Sequence, residues 1–289
     1  MMLPFGWRNR MPAVNHPIQR ALKPFNAPYH HCCRAQCQKD KWRTRPRPPH
    51  ADSMETIESQ RTFWNAWNAE NREASVGEIS RRQAEIILEW LGQINRNDLA
   101  IIEVGCGTGW LCPLLTRFGQ VTGTDLSDDV LRRAQVRWPQ IEFIAGDFAA
   151  LPLKAEAYDV VVSLEVLSHI ADQQAFISQI ARLLKPGGVL LIATQNRTVL
   201  AERCHIPPPR PGQLRNWVDR EELQTLLQSR FHVERLVSAS PVAHKGLRRL
   251  LTGQRVNNAL RGVIGDRWRD FLERRGWGWT LMAMARKSR

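Results

Sequence analysis

The sequence lacks any run of 18 consecutive apolar residues, so it predicts no membrane-spanning helix. No apolar segment follows the basic N-terminal residues, which argues against a secretory signal. The chain has only six cysteines in 289 residues, and their scatter does not suggest a disulfide framework. These absences favour a soluble protein of one main domain in a reduced compartment, and we expect it in the cytoplasm.

Acidic residues are scarce at both ends of the chain, and this scarcity accounts for the net charge of +13. Residues 1–53 carry ten Lys and Arg against two acids, and residues 241–289 carry twelve against three. The remaining residues, 54–240, therefore have a formal charge of −4. Because the basicity is confined to the ends, we do not expect nucleic acid to be the partner of the body.

The segment 1–53 holds eight of the seventeen prolines and shows no sustained apolar periodicity. We interpret it as a disordered, basic, proline-rich segment. An alternative is that translation starts at Met54 and that the segment is absent from the native protein, which the intact mass from the native host would decide. The His and Cys cluster at 30–37 lacks a second ligand pair at zinc-finger spacing, so we predict no metal site.

From residue 54 the pattern becomes that of an α/β domain. A helical region over 54–95 includes an amphipathic helix near 76–92. Apolar runs of strand length then alternate with amphipathic helices, which predicts a mostly parallel sheet covered on both faces. The predicted strands are Leu99–Val104, Val121–Thr124, Ile141–Ala145, Tyr158–Leu164, Val189–Thr194, His232–Ala239 and Trp279–Ala285. The predicted helices include one with apolar positions 111, 114, 115 and 118 on one face, one with Ser127 as its N-cap, and one that begins with the capping box Asp219-x-x-Glu222.

Two segments interrupt this alternation. One is a proline-rich loop at 196–216, and the other is an arginine-rich, basic helical insertion at 243–275. Both follow strands whose carboxyl ends should face the site, so we expect them to cover a substrate. His205, in the first segment, is a further candidate for a catalytic base.

The strongest motif is the glycine-rich segment Glu103–Trp110, which directly follows the first strand. Glycines at 105, 107 and 109 allow a tight turn and a close approach of the backbone to a ligand. The next helix would present its N-terminal amides there. A dinucleotide-binding loop would place its third glycine at 110, where this chain has tryptophan. The G-x-G-x-G spacing resembles motif I of the class I S-adenosylmethionine-dependent methyltransferases.

Four further features follow in the order of that family, each at a strand end. Asp125 ends the second strand, Gly146–Phe148 follows the third, Leu164–His169 follows the fourth, and Lys185–Gly188 precedes the fifth. Over roughly 61–240 the chain is identified as a member of this family, similar to its ubiquinone- and menaquinone-biosynthesis branch. The resemblance implies a doubly wound, Rossmann-like sheet of seven mostly parallel strands, with helices on both faces and the last strand antiparallel.

The resemblance also implies how the cofactor, S-adenosylmethionine, is held. Glu103 would orient the amino end of the ligand through the glycine loop, and Asp125 would accept the ribose hydroxyls. Asp147 and Phe148 would fix the adenine. The expected cofactor contacts are Glu103, Gly105, Cys106, Gly107, Gly109, Asp125, Leu126 (on the adenine), Asp147, Phe148 and Leu164 (on the methionine arm).

The implied reaction is methyl transfer to an O, N or C atom of a small-molecule acceptor by in-line displacement, which depends mainly on placement. His169 is the candidate general base, because a neutral imidazole accepts protons near pH 7; the alternative is a histidine that only packs against a loop. Ubiquinone O-methyltransferases have a metal-linked Glu-x-x-Glu-His pattern, which Glu165, Ser168 and His169 match except at the serine. The serine removes a hard oxygen ligand, so neither a metal nor quinone specificity is predicted.

Three other functions stay open. One is a non-catalytic module that binds the cofactor without transfer. A nucleic-acid methyltransferase is another, although base-flipping enzymes usually carry an Asn/Asp-Pro-Pro-aromatic set where this chain has Ser163–Val166. The third is a dehydrogenase, which nicotinamide binding would reveal.

Overall fold

The computed structural model describes residues 56–71, 76–204, 206–241 and 267–288, and within these ranges two helices precede the sheet. All of these residues lie within one compact unit, 47–289. The basic segment 1–53, His205 and the 243–266 part of the predicted insertion lie outside the described residues, so the predictions made for them stay predictions. Among the described residues, no helix has the length and apolar character needed to cross a membrane.

Helix α1 spans Ile57–Asn71 and helix α2 spans Glu78–Ile94. In α2 the apolar positions repeat at helical spacing and are buried on one face, as the sequence predicts for 76–92. This helix ends at Asn95, whose φ of 55° places it in the left-handed conformation common at helix C-termini. Helix α1 differs, because Asn68 is its single buried residue.

The sheet has seven strands in the order β3-β2-β1-β4-β5-β7-β6. Strands β1 to β5 are parallel, and β7 is antiparallel to both of its neighbours. The predicted fold class, with its antiparallel last strand, is confirmed. The strands are β1 Leu99–Val104, β2 Gly119–Asp125, β3 Glu142–Ala145, β4 Tyr158–Leu164, β5 Leu184–Gln195, β6 Phe231–Pro241 and β7 Gly278–Lys287.

The other helices of the described ranges lie around this sheet. They are α3 Cys112–Leu115, α4 Asp128–Arg137, α5 Gln173–Leu183, α6 Arg197–Arg203, α7 Arg220–Gln228 and α8 Arg267–Arg274, with 3-10 turns at Thr116–Phe118 and Leu167–His169. The capping box predicted for α7 is present: Asp219 accepts from the amides of Glu221 and Glu222, and the Glu222 carboxylate accepts from the Asp219 amide.

The apolar stretch 111–118, predicted as one helix, is the short helix α3 followed by a 3-10 turn. The chain must enter β2 directly after Phe118, since Gly119 already pairs with Leu99 of β1. A Cβ on Gly119 would lie 1.9 Å from the Leu99 carbonyl oxygen. This close strand pairing leaves no room for a longer helix.

Ser127 occupies the N-cap position of α4, as predicted, but its side chain makes no capping hydrogen bond. Its hydroxyl instead accepts from the Asn68 amide of α1 at 3.3 Å. A long-range contact has therefore taken the place of the local cap. It attaches α1 to the carboxyl edge of the sheet, where β1, β2 and β4 end side by side.

Candidate functional site

The glycine loop 105–109 leaves β1 and turns back over the end of β2. The Gly105 and Cys106 amides both donate to the Thr124 carbonyl, at 2.7 and 2.9 Å. All three loop glycines have left-handed φ values between 53° and 75°. A Cβ at 105 would lie 2.1 Å from Cγ2 of Val166. Glycine is therefore required at 105 by both the backbone conformation and the packing.

Asp125 ties this loop to the start of α4. Its Oδ2 accepts from the Gly107 amide and its Oδ1 accepts from the Ser127 amide, both at 2.8 Å. Burial raises the pKa of Asp125, whereas these amide donors oppose the rise. Each carboxylate oxygen has a second lone pair. The side chain can thus hold the loop and still accept the hydroxyls of a ribose.

Glu103 is 2% exposed and lies beside a buried thiol. The Cys112 Sγ donates to its Oε2 at 3.0 Å. Burial raises the pKa of Glu103 to about 8; the thiol contact opposes this rise, and the nearby Asp125 charge adds to it. Cys106 is also buried, and burial raises the pKa of its thiol to about 11. A thiol this weakly acidic is a small packing group in the loop and not a nucleophile.

The residues expected around the adenine follow β2 and β3. Leu126 is partly buried directly after Asp125, and the Asp147 carboxylate accepts from the Ala149 amide at 3.1 Å, closing a turn. Phe148 packs edge-to-face on Phe176 of α5, with 5.3 Å between ring centroids. Phe148 is therefore attached to the hydrophobic core, and its contact with a base stays a prediction.

His169 lies in the turn after β4, four residues beyond Glu165. Its Nδ1 is 2.8 Å from the Leu214 carbonyl, and its ring makes an edge contact with Trp64 at 4.5 Å. The pKa of His169 is lowered to about 4: burial is the main cause, the Arg215 charge adds to it, and the hydrogen bond with the Leu214 carbonyl opposes it. Since a carbonyl only accepts, Nδ1 carries the proton and Nε2 is left with the lone pair. His169 is therefore a neutral imidazole. It makes the contacts expected of a histidine that packs against a loop, which is the alternative interpretation of this residue.

Helix α1 contacts the site at three points that the sequence analysis did not find. Asn65 donates to the Asp128 carboxylate at 3.0 Å, Asn68 reaches Ser127, and Trp64 packs on His169. Loop 206–218 closes against the same helix, since a Cβ at 212 would lie 2.6 Å from the Ser59 carbonyl oxygen. The one feature of the sequence that could have indicated these contacts is the pair of asparagines, Asn65 and Asn68, beside the aromatic residues 63–67.

A separate cavity of about 380 Å³ lies between α7 and the edge strand β6, lined by Gln224, Gln228 and 231–236. It contains none of the predicted site residues, and its ionisable side chains are His232, Glu234 and Arg235 of the edge strand. Within the described ranges, no three His, Cys, Asp or Glu side chains are grouped to hold a metal ion. The glycine loop therefore stays the candidate site.

The raised pKa of Glu103 predicts a pH-dependent stability. The folded carboxyl holds its proton to about pH 8, whereas the unfolded one loses it near 4.5, so wild-type stability falls as the pH rises between these values. Glu103→Gln keeps the group neutral. We expect its unfolding free energy, relative to wild type, to rise by roughly 2–3 kcal/mol between about pH 6 and pH 9. Urea unfolding across this range measures the difference; a pH-independent difference would contradict the assignment.

The central part of the chain is similar to known methyltransferases. Residues 102–192 match the family model of a methyltransferase domain. A Mycolicibacterium smegmatis protein named "Probable S-adenosylmethionine-dependent methyltransferase" is 34% identical over 140 residues, which cover 46% of this chain and 52% of that protein. A Bartonella bacilliformis "Ubiquinone biosynthesis O-methyltransferase" is 37% identical over 105 residues, 35% of this chain and 42% of the relative. The chain thus spans about half or less of these curated relatives.

Solved structures share the fold at lower identity. An S-adenosylmethionine-dependent methyltransferase from Mesorhizobium loti aligns with a TM-score of 0.52 and 20% identity, over 71% of this chain and 100% of that one. The 1,6-didemethyltoxoflavin-N1-methyltransferase of Burkholderia thailandensis, solved with 1,6-didemethyltoxoflavin and S-adenosylhomocysteine, aligns with a TM-score of 0.55 and 18% identity, over 84% and 93%. The resemblance found in the sequence and the Rossmann-like fold are both confirmed.

Proposed function

We propose that this chain, whose residues 102–192 match a methyltransferase domain, is an S-adenosylmethionine-dependent methyltransferase that acts on a small-molecule acceptor. The observation that carries the proposal is the left-handed glycine loop, which Asp125 ties to the end of β2. An adenosyl ligand requires a backbone free of Cβ atoms beside a carboxylate that can take two hydroxyls. The loop at the ends of β1 and β2 has both properties.

The residues present fit the cofactor. Side chains are excluded at 105 by Val166 and at 109 by Phe143, so the loop keeps a bare main chain. Asp125 would accept the ribose hydroxyls through its second lone pairs, and Glu103 would orient the amino end of the ligand. When bound, S-adenosylmethionine supplies a methyl group on an electrophilic sulfonium.

Three observations support a small acceptor over nucleic acid. Helix α1 and loop 206–218 pack against each other over this side of the domain, which limits the size of what can enter. Residues 54–240 carry a net negative charge. The Bartonella relative carries the name of a ubiquinone-biosynthesis enzyme, whose acceptor class is a small molecule.

His169 is the proposed proton acceptor for a hydroxyl or amine substrate. As the bond from the acceptor atom to the methyl carbon forms, the bond from carbon to sulfur breaks and its electron pair stays on sulfur. The acceptor proton becomes strongly acidic at that moment, so even an imidazole with a pKa near 4 can take it on Nε2. The Nδ1–H bond to Leu214 would hold the ring in the required tautomer.

The proposal is tested by titrating the full chain with S-adenosylmethionine and S-adenosylhomocysteine in a calorimeter. Methyl-labelled cofactor is then supplied with a panel of phenols, amines and carbon acids. We expect uptake of both nucleotides and label transfer to at least one acceptor. His169→Ala should keep its affinity for S-adenosylhomocysteine while turnover falls by about 100-fold.

Each other result has its own meaning. Absence of uptake by the wild-type chain rejects the assignment. Uptake without transfer across the panel supports a non-catalytic binding module, and unchanged turnover of His169→Ala removes the histidine from the mechanism. Label transfer to RNA or DNA, with binding that weakens steeply with salt, would establish a nucleic-acid substrate.

A further inference from the structure

One carboxylate at the carboxyl edge of the sheet has no role in the mechanism above. Glu165 is the first residue after β4, and its amide donates to the Ala193 carbonyl of β5 at 2.8 Å. Its φ is 64°, a left-handed backbone conformation that is rare and costly for a residue with a side chain. Such strained residues concentrate at functional sites, because the surrounding structure must hold them in place.

The Glu165 side chain is fixed by two buried donors from distant parts of the chain. The Gln83 amide of α2 donates to Oε1 at 2.5 Å, and the Thr280 hydroxyl of β7 lies 3.2 Å from the same oxygen. Gln83 also donates to Thr280 at 3.0 Å. Gln83 and Thr280 are fully buried, whereas Glu165 is partly exposed. Two buried side chains therefore hold the Glu165 carboxylate in a fixed position.

The backbone segment that carries this carboxylate lies next to the glycine loop. Val104 of β1 pairs with Ser163 of β4, so the two strands end side by side. The residue after Glu165, Val166, is the one whose methyl group excludes a Cβ at Gly105. Glu165 thus directly follows Leu164, the residue that the resemblance places along the methionine arm of the cofactor. His169, four residues further on, adds no positive charge because its imidazole is neutral.

We propose that Glu165 is the charge that the protein places beside the sulfonium, so that the site binds S-adenosylmethionine in preference to S-adenosylhomocysteine. The inference rests on the proposed function, since it requires the cofactor to occupy this site. The two nucleotides differ in one methyl group and one positive charge. A fixed carboxylate stabilises only the charged one, and a partly desolvated position strengthens this attraction. The product of the transfer would then leave the site more readily than the cofactor.

The test is the ratio of the two dissociation constants, measured by calorimetry on the full chain. Glu165→Gln should weaken S-adenosylmethionine binding by about tenfold and change S-adenosylhomocysteine binding by less than about twofold. Glu165→Asp, which keeps the charge, should retain most of the preference. If Glu165→Gln does not fold, Glu165→Asn takes its place, because asparagine tolerates the left-handed conformation.

Glu156→Gln is the matched control. Glu156 also has a left-handed φ, of 52°, and its substitution removes the same charge. However, it precedes β4, at the opposite end of the strand, and contacts Lys287 at 3.4 Å. In Glu156→Gln, the ratio of the dissociation constants for the two nucleotides should equal that of the wild type. Thr280→Val removes one anchor but no charge, and a partial loss of preference is expected.

The outcomes separate the inference from the function on which it rests. Equal weakening of both nucleotides by Glu165→Gln would make Glu165 a structural residue and overturn the inference. Unchanged binding of both nucleotides by Glu165→Gln would overturn it as well. In both cases wild-type binding leaves the proposed function standing, whereas failure of the wild type to bind either nucleotide rejects both.

Discussion

Asp125→Ala should weaken the binding of S-adenosylhomocysteine by about 100-fold or more. The substitution removes the acceptor of two backbone amides, those of Gly107 and Ser127. Hydrogen bonds to charged groups contribute roughly 1.5–3 kcal/mol each. Loss of the two bonds that fix the loop therefore already corresponds to about a 100-fold change in the dissociation constant. Loss of the proposed ribose contacts adds to it. Calorimetric titration of the full chain measures the effect.

The control for this change is Asp129→Ala. Asp129 lies four residues further on, in the first turn of α4, and pairs with the exposed Arg132 at 2.7 Å. Exposed pairs of this kind contribute little, so we expect affinity and stability close to those of the wild type. Asp125→Asn retains one acceptor oxygen and should lie between the two. An Asp125→Ala affinity within about threefold of wild type would contradict the role of Asp125 as the loop anchor.

Gly105→Ala should lower the free energy of unfolding by about 2–5 kcal/mol. A left-handed backbone costs a residue with a side chain roughly 1–2 kcal/mol. The new methyl group would also lie 2.1 Å from Cγ2 of Val166, and overpacking a core costs roughly 1–3 kcal/mol more. The same displacement should open the glycine loop, so nucleotide binding is expected to fall with stability. Urea unfolding and calorimetry measure the two effects.

Gly187→Ala separates these two causes. Gly187 has nearly the same φ, 73° against 75°, but a Cβ there would meet nothing within 4 Å. Its cost should therefore be the backbone part alone. Adding Val166→Ala to Gly105→Ala removes the clashing methyl group and should recover about 1 kcal/mol or more beyond the sum of the single changes. Equal destabilisation by Gly105→Ala and Gly187→Ala would show that packing against Val166 is unimportant.

The sheet could be predicted because its signals are local. The run Tyr158–Leu164 has the bounds of β4 as predicted, and the capping residues of α7 are three apart in sequence. The glycine loop was likewise readable, because its backbone requirement falls on the glycines themselves. The prediction of a single helix over 111–118 was wrong, because the chain must enter β2 directly after this stretch and strand pairing overrides the local helical pattern.

The side chains that bring the site together could not be read in this way. Gln83 and Thr280 hold Glu165 from positions 82 and 115 residues away, so no spacing rule connects them. Asn65 and Asn68 have the appearance of ordinary surface positions of a helix until α4 is packed against them. Position in the fold, rather than residue type, gives these side chains their partners.

The place of β7 in the sheet has a consequence for how the protein is made on the ribosome. Strand β6 is synthesised first, but in the described part of the chain it pairs only with β7, which is also the antiparallel neighbour of β5. Until residues 278–287 have been translated, β6 has no strand to join and β5 keeps an open edge. Unsatisfied edges of this kind are sites of misassociation between nascent chains. Completion of this sheet therefore depends on β7, which is made after both of the strands that it joins.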